Sequence, residues 1–599
     1  MGSVQVADHV DEATQYAHEV IAGLEPACKW VKAACQRQID DLDRGQHDPS
    51  WPYEWKPERA DRVIRFVELL PHVKDGKFWR AGDPIRLVPA QKFGLACVFG
   101  WVSKRDGSRR FRTVYEEVPK KNAKSTKLAA IALYGLTAEG EQGAEVYSAA
   151  TKEDQAKIVF GVAKEMARRL PEFRSHFGVS IYQKAIAVES VASVFRPLSS
   201  DADSLEGINP SLGVVDELHA HKTRGVYDTL DTARGARWQP LLWSITTAGS
   251  NRSGVCYDVR SYLLKILNAV LKRHGGMGYP VKGEAADDET FWGIVYSIDE
   301  GDDPYTDASA RKANPLYGIS VDPDDMRRMA AVAQVQVQAQ HAFLTKRLNV
   351  WVNADSGWMN MIAWDACGDP GLKEERFAGK TCIVALDAAF KKDLFAKVKV
   401  FREGKHYYVF GRYYMNQEQA ETKGNEHIAA WVQEGWIRTT PGNVLDIEAV
   451  REELIGRKSA EGKIEIPGDL QRFHLLEVPY DPAQLTQFSI ELLGQGLPMV
   501  EQRPNILPFS AAMKEVESLV AARQLHHNGD PVLAWAISNV VCHMDAKDNI
   551  YPRKDDPSKK DRNKKIDPAI SLLMAISRWQ SNKPEGSMAG WLANPVVAG

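Results

Sequence analysis

Long apolar runs are missing from this sequence of 599 residues. No stretch approaches the about 20 consecutive apolar residues of a membrane-spanning helix. The first thirty residues carry Asp8, His9, Asp11 and Glu12, where a secretory leader would be apolar. A soluble, cytoplasmic protein without a membrane partner is expected. Cysteine is scarce as well: the seven residues Cys28, Cys35, Cys97, Cys256, Cys367, Cys382 and Cys542 are scattered, odd in number and free of CxxC pairs. That pattern suggests neither a disulfide framework nor a zinc cluster. Charge of one sign is also absent, since 76 Lys and Arg face 79 Asp and Glu for a formal net charge of -3. The chain as a whole therefore lacks the basic signature of a protein that coats nucleic acid, and DNA contact has to come from local patches. What is present, 44% hydrophobic, 26% charged and 9% aromatic residues, is a globular composition. The length is several times the ~100–200 residues of one domain, so two to four domains are expected.

Apolar positions at helical spacing, among them Val10, Ala13, Ala17, Val20, Ile21 and Leu24, predict helix over residues 8–45, and another helix follows around Ala60–Leu70. Residues 1–80 read as a helical preface. From about 81 to 250, short β-rich runs (Ala144–Ala149, Ile186–Val191, Leu212–Val215, Leu241–Thr246) alternate with helical stretches, which argues a mostly parallel sheet with helices on both faces. Residues 251–370, with helical signals at Tyr257–Leu271 and Pro323–Val337, look like lid and linker. A second α/β domain is expected over 371–580. It opens with strands at Thr381–Leu386, Phe395–Phe401 and His406–Arg412, and holds helices at Gln484–Gly494, Ala511–Ala522 and Asp567–Trp579. Residues 581–599, rich in Gly, Ala, Pro and Ser, read as a flexible tail.

The strongest local signal is Val118-Pro119-Lys120-Lys121-Asn122-Ala123-Lys124-Ser125-Thr126, lying between a β-like run at Phe111–Val114 and an apolar helix from Lys127. Strand, loop and helix come in the order a phosphate-binding loop requires. There, backbone N–H groups and a helix N-terminus surround the phosphates, a lysine reaches the β and γ groups, and a hydroxyl holds Mg²⁺. Lys124 and Ser125 fill the last two roles. The usual GxxxxGK[ST] pattern is broken twice, by Val118 and Ala123, so a basic turn before a surface helix is the competing explanation. A second segment shifts that balance. Leu212-Gly213-Val214-Val215 is an apolar strand ending in Asp216 and Glu217, which suit a Mg²⁺ ligand and the residue that polarises the attacking water. A third strand ends in Thr246-Thr247-Ala248-Gly249, placing small hydroxyl residues where they could sense the γ-phosphate.

Taken with Gln91, Ala149–Ala156, Leu198–Pro210 and Asp216–Lys222, these motifs resemble the large subunit of tailed-phage terminase along nearly the whole chain. The resemblance implies a P-loop ATPase with an extra strand between the phosphate loop and the acidic strand (the ASCE type), followed by an RNase H-like nuclease. It implies that Gln91 contacts adenine and that Thr246–Gly249 couples hydrolysis to DNA movement. The family usually has glycine where this chain has Ala123, and commonly has arginine at Lys120. A lysine offers a point charge rather than a bidentate fork, so an arginine from a neighbouring subunit is expected to serve instead, with Arg224, Arg237 and Arg252 as candidates.

In the second domain, Asp387 ends an apolar strand, Asp481 follows Val478-Pro479-Tyr480, and Asp567 opens an apolar helix. Two-metal phosphodiester hydrolysis needs carboxylates converging from separate strands and a helix, although each of these acids also suits an ordinary strand end, turn or helix cap. By resemblance, the three carry Mg²⁺ or Mn²⁺ at a DNA-cutting site, with Asp393 as a minor candidate. The basic residues Arg553, Lys554, Lys559, Lys560, Arg562, Lys564 and Lys565 precede Asp567 and are expected to contact DNA phosphates. His219, His221, His526 and His527 read as ordinary polar or core residues. The expected function is ATP-driven translocation of double-stranded DNA into a procapsid, with cutting of the concatemer, in the host cytoplasm. The partners implied are the portal protein, a terminase small subunit and further copies of the chain in a ring, a free monomer in dilute solution being compatible with this. A P-loop helicase or remodeller without nuclease activity, and a structural capsid or portal component that merely docks DNA, stay open as alternatives.

Overall fold

The computed structural model describes residues 7–149, 153–198, 207–221, 223–252, 254–275, 288–352, 357–388, 394–421, 426–459, 461, 463–544, 549–554 and 565–582. The chain divides into two compact units, Met1–Asp355 and Ser356–Gly599.

In the first unit, the helix expected over 8–45 is two helices, Ala7–Ala22 and Lys29–His47. Gly23 turns the chain at φ +75°, and Pro26 has no N–H with which to continue a helix. Helices Pro57–Leu69 and Pro89–Gly100 follow, flanked in the chain by the paired strands β1 (Tyr53–Trp55) and β2 (Trp101–Ser103) in antiparallel register. Val20, Cys35, Val63 and Leu95 from these helices are fully buried in the same apolar core as the main sheet. The helical preface thus packs into the first unit rather than standing apart.

The main sheet has eight strands: β3 (Thr113–Glu117), β4 (Glu145–Ala149), β5 (Val179–Ile181), β6 (Ile186–Val188), β7 (Ser193–Pro197), β8 (Leu212–Asp216), β9 (Leu241–Thr246) and β10 (Phe291–Val295). Their order is β10-β3-β9-β8-β4-β7-β6-β5. The strands from β10 to β7 are parallel, and β6 and β5 finish one edge antiparallel. β9 lies between the phosphate-loop strand β3 and the acidic strand β8, which is the inserted strand of the expected fold. Every residue of β8 and β9 is buried, as suits strands covered on both faces.

The expected break at 250 is corrected by β10. Phe291–Val295 pairs with β3 along its whole length, so the sheet continues beyond the segment read as lid and linker. Its apolar run is interrupted only by Gly293, where a Cβ would lie 2.6 Å from the carbonyl oxygen of Tyr115. The lid is smaller than expected: helices Asp307–Ala313, Pro323–Val335 and Val337–Arg347 share a separate small core built on Ala310, Met326, Ala333 and Phe343.

The second unit is built on a sheet of β11 (Thr381–Asp387), β12 (Phe395–Glu403), β13 (His406–Asn416), β14 (Ile437–Thr440), β17 (His474–Tyr480), β18 (Met499–Glu501) and β19 (Leu525–His527). Apart from it lie two small ribbons, β15 (Arg457–Lys458) with β16 (Ile464–Ile466) and β20 (Val541–Met544) with β21 (Ile550–Arg553). The order is β14-β13-β12-β11-β17-β18, with β19 also paired to β13. β11, β12 and β13 form an antiparallel meander, while β11, β17 and β18 are parallel. This is the RNase H-like arrangement. Strand alternation separates two cores: Ala396, Val398 and Val400 pack with Leu572, Leu573 and Ile576 of helix Asp567–Ser581, whereas Phe395 and Phe401 pack with Leu485 and Phe488. Among the described residues, no helix is long and apolar enough to cross a membrane.

Candidate active site

Strand β3 runs into the loop Val118–Ala123, and helix Lys124–Thr137 leaves it. Lys121 (φ +76°) and Ala123 (φ +54°) both take left-handed backbone, which glycine adopts freely and a Cβ resists. The first-turn N–H groups of the helix, which have no partner inside it, border the loop. Lys124 is buried, and its Nζ donates to the carbonyls of Val118 (3.1 Å) and Pro119 (3.4 Å) while lying 3.6 Å from Glu217 Oε1. Burial lowers the Lys124 pKa, against the pull of the Glu217 and Asp216 carboxylates. The Asn122 side chain is committed to the loop: Nδ2 donates to Pro119 O (3.2 Å) and Asn314 Oδ1 (2.8 Å), and Oδ1 accepts from Leu316 N (3.0 Å). Its side chain braces the loop. Lys120 is exposed, and Ser125 and Thr126 follow Lys124 in the first turn, half-buried.

From the end of β8, Asp216 Oδ2 accepts a 2.8 Å hydrogen bond from Ser125 Oγ across 91 residues of sequence. Its other oxygen, Oδ1, is buried and receives no hydrogen bond. Burial, then the neighbouring Glu217, raises the Asp216 pKa. Glu217 turns the chain at φ +51°. Its Oε2 accepts from Thr247 N (3.3 Å) and Thr247 Oγ1 (3.5 Å) and lies 3.2 Å from His219 Nδ1. Burial pushes its pKa up, but the hydrogen bond from His219 and the charges of Lys124, His219 and Lys346 outweigh that and hold it down to about 2. Thr246 is fully buried, accepting from His219 N (3.0 Å) and donating to Thr247 O (2.9 Å).

In the second unit, β11 and β17 bring two of the three acids side by side. Leu386 pairs with Tyr480, so Asp387 and Asp481 come next on adjacent parallel strands. The register shifts between Cys382, which pairs with Leu475, and Ile383, which pairs with Glu477. The third acid begins helix Asp567–Ser581 and is buried. One turn on, Ser571 Oγ donates to the carbonyl of Ala396 (3.3 Å), the β12 residue that pairs with Asp387. The cap of that helix is Ile566, not Asp567, whereas Asp481 does cap its helix, accepting from Ala483 N (3.1 Å). Tyr551 on β21 lies within the field of both Asp481 and Asp387: burial and then these carboxylates raise its pKa, and Arg553 opposes them. Among the described residues, no three His, Cys, Asp or Glu side chains are gathered closely enough to grip an ion. A cavity of about 710 Å³ in this unit is lined elsewhere, by Lys397, Lys399, Arg412, Glu453 and Asp469 among others, and contains none of the three acids.

A family model of the terminase large subunit, ATPase domain, matches residues 89–265, and one of its endonuclease domain matches residues 285–583. Protein YmfN of Escherichia coli (strain K12) is 33% identical over 429 residues, 69% of this chain and 86% of that protein. The chain belongs to the terminase large-subunit family. The terminase large subunit of Enterobacteria phage HK97 is 27% identical over 531 residues, 86% of this chain and 95% of the relative. The crystal structure of the HK97 bacteriophage large terminase aligns at 24% identity and a TM-score of 0.40, covering 87% of this chain and 99% of that one. This terminase large subunit is therefore an ATPase and an endonuclease of phage DNA packaging, using a nucleotide and a divalent metal.

Two residues of the terminase site escape sequence reading. His219 was expected to be an ordinary polar residue; its ring instead stands between Glu217, Thr246 and Lys346, with Nδ1 3.0 Å from Thr246 Oγ1 and Nε2 3.0 Å from Lys346 Nζ. Lys346 falls in the span matched by the endonuclease model, yet its contacts are with the phosphate-loop side of the first unit. A His two places after the acidic pair was the one available signal; for Lys346 there was none. His221 and His527 are buried, the former held down to about 4 by burial and then by His219. Gln91 begins helix Pro89–Gly100 and accepts from Val88 N (3.4 Å). Arg237 is engaged by Glu141, Glu145 and the carbonyl of Asn209, Arg224 by Asp228 and Asp258 on the surface, and Arg252 by the carbonyl of Trp351. Asp393, Lys559, Lys560, Arg562, Lys564 and residues 583–599 lie outside the described residues.

Proposed function

We propose that this terminase hydrolyses ATP at Lys124, Ser125, Asp216 and Glu217 and cuts double-stranded DNA at Asp387, Asp481 and Asp567. The observation that carries the first half is the Ser125–Asp216 hydrogen bond beside a buried carboxylate oxygen with nothing donating to it. A buried, unsatisfied anionic oxygen costs several kcal/mol, and a hydroxyl and a carboxylate are hard oxygen donors of the kind Mg²⁺ takes. Ser125 and Asp216 are thus the residues that would hold Mg²⁺, which would supply positive charge against the phosphates. Lys124 balances charge on the transferring phosphoryl group. Glu217, ionised throughout the neutral range, orients the attacking water and accepts its proton. Lys121, Asn122, Ala123 and Thr126 contribute backbone N–H groups around the phosphates, Lys120, whose N–H is held by the carbonyl of Lys346, offers its exposed ammonium group, Gln91 reads adenine, and Thr246 with Thr247 links the γ-phosphate to Glu217. An arginine from a neighbouring protomer completes the charge balance; Arg224 and Arg252 suit this better than the enclosed Arg237.

In the second unit, Asp387 and Asp481 at adjacent strand ends and Asp567 at a helix start are the hard oxygen donors that would hold the metal once drawn together. Mg²⁺ or Mn²⁺ held there supplies the charge that a scissile phosphodiester needs. Of the expected basic cluster, Arg553 and Lys554 are exposed and meet the DNA backbone, whereas Lys565 is buried and does not. In the host cytoplasm the motor works as a ring on the portal protein, with a small subunit presenting the DNA.

The test runs both reactions on one set of proteins. Supercoiled plasmid with Mg²⁺ or Mn²⁺ is incubated with wild type and Asp387→Asn, and ATP turnover is measured for wild type and Glu217→Gln. Nicking lost only in the first variant and turnover lost only in the second is the expected outcome. Full nicking by Asp387→Asn, or full turnover by Glu217→Gln, overturns the corresponding half.

A further inference from the structure

The side chain of Lys346 reaches from the lid helix Val337–Arg347 to the acidic end of β8. Its Nζ lies 3.0 Å from His219 Nε2 and donates to the carbonyl of Ala248 at 3.3 Å. An ammonium group donates only. Nε2 of His219 is therefore the acceptor, and the ring proton resides on Nδ1. That nitrogen faces Glu217 Oε2 at 3.2 Å and Thr246 Oγ1 at 3.0 Å. Thr246 Oγ1 already accepts from His219 N and donates to Thr247 O, and a carboxylate is the stronger acceptor for the Nδ1 proton. The lysine thus selects the tautomer that grips Glu217.

The same helix end is tied to the nucleotide loop by its backbone. The carbonyl of Lys346 accepts from Lys120 N at 2.8 Å. Three residues on, Asn349 is fully buried with φ +61°; its Oδ1 accepts from Ala248 N at 2.7 Å, and its Nδ2 donates to Tyr296 O at 2.9 Å. Lys346 therefore touches the phosphate loop, the end of β9 and, through His219, the end of β8.

We propose that His219 and Lys346 are positioning residues for Glu217, forming a relay through which the lid subdomain sets the orientation of the carboxylate that activates water. Displacing helix Val337–Arg347 removes the donor from Nε2, frees the imidazole to change tautomer or swing, and leaves Glu217 without its Nδ1 partner. Hydrolysis is thereby tied to the lid position. This rests on Glu217 serving as the base.

The experiment measures steady-state ATP turnover by the full chain for His219→Ala, His219→Asn, Lys346→Ala, Lys346→Met, Lys346→Arg and the double alanine variant, with binding of ADP by calorimetry as the control. Asn places an amide N–H where Nδ1–H was, and Arg keeps a donor toward Nε2. Expected are kcat losses of about ten- to a hundredfold in the alanine and methionine variants, a fraction of what a general base supplies. KM for ATP and ADP binding should stay within about threefold, and the Asn and Arg variants should recover most of the loss. The double variant should be no worse than the poorer single one, since both act through one carboxylate. Wild-type kcat in the alanine variants, multiplicative losses in the double, or failure of Asn and Arg to rescue while ADP binding is intact would overturn the relay. If an alanine variant does not fold, the Met–Arg comparison at 346 decides. Glu217→Gln separates the two levels: an active Glu217→Gln refutes the base itself, whereas an inactive one beside an active His219→Ala refutes only the relay.

Discussion

Replacing Lys124 with methionine separates catalytic from structural work at one buried position. Methionine keeps the apolar stem and removes the ammonium group. In the fold that group gains two hydrogen bonds to loop carbonyls and an attraction to Glu217 at 3.6 Å. Hydrogen bonds of this kind contribute about 0.5–1.5 kcal/mol each, net. Against them stands desolvation, which wins, because the Lys124 pKa is lowered and not raised. Losing the charge relieves that penalty but leaves the Val118 carbonyl without its donor; Pro119 keeps Asn122. The two corrections are of similar size and opposite sign, so stability should move by less than about 1 kcal/mol. Turnover should fall by about 10²–10³, or about 2.7–4 kcal/mol, the cost of removing one preorganised donor from a developing charge. Denaturant unfolding of the first unit and steady-state ATPase measure the two quantities. In the alkaline window between the lowered folded pKa and the unfolded 10.5, the unfolded chain binds more protons. Raising pH there stabilises wild type relative to the methionine variant. A stability loss above about 2 kcal/mol that accounts for the activity loss, or turnover within tenfold of wild type, would show that Lys124 is a structural lysine.

In the second unit, Asp469 accepts from Lys397 (2.7 Å) and Lys399 (2.9 Å), all three being buried. Asp469→Asn takes one carboxylate from each lysine, leaving Lys397 with Glu453 and Lys399 with Glu374, and should destabilise this unit by about 1.5–3 kcal/mol in guanidinium unfolding. Burial raises the Asp469 pKa, but the two lysines outweigh it and hold the group at about 2, against 3.8 unfolded. The stabilisation is therefore complete above 3.8 and lost as pH falls toward 2, so wild type but not the variant should show an acid transition in that range. Ala123→Gly relieves about 1 kcal/mol of left-handed strain but frees the unfolded chain by about 0.4–1 kcal/mol. Its stability should hold or rise slightly with turnover retained, while Ala123→Val should lose both. A destabilised glycine variant would show that the φ of +54° is not strained.

Much of the architecture was legible because the chain marks strand ends with acids. Apolar runs leading into Asp216 and Asp387 read as buried strands, and both are: the first lies between two parallel neighbours, the second between an antiparallel and a parallel one. Ser125 and Asp216, read as partners from the order of their motifs, share a hydrogen bond. Less visible were features decided by packing. Helix periodicity runs through residues 8–45 unless Gly23 is given its turn. Phe291–Val295 looks like any apolar run in connecting sequence, and only the open edge beside β3 makes it part of the first sheet. Asn122 reads as a ligand-facing polar residue because its partners, Asn314 and Leu316, are almost two hundred residues away. His219 and Lys346 were hidden for the same reason: an isolated histidine or lysine acquires meaning only from what the fold sets opposite it.

The register shift in β17 carries a further consequence. Before it, Thr381 matches His474; after it, Leu386 matches Tyr480. Leu476 is the extra residue, and side chains alternate faces along a strand. Were Leu476 instead paired with Ile383 in an unshifted register, Asp387 would sit opposite Tyr480, and Asp481 would fall one place further, aimed at the other side. The proposed cutting site thus depends on a register shift five positions upstream of the acid it aligns. Drift in loop lengths across the 57 residues between β13 and β17 leaves this alignment alone, while a one-codon deletion between Leu476 and Asp481 draws the acid one place back.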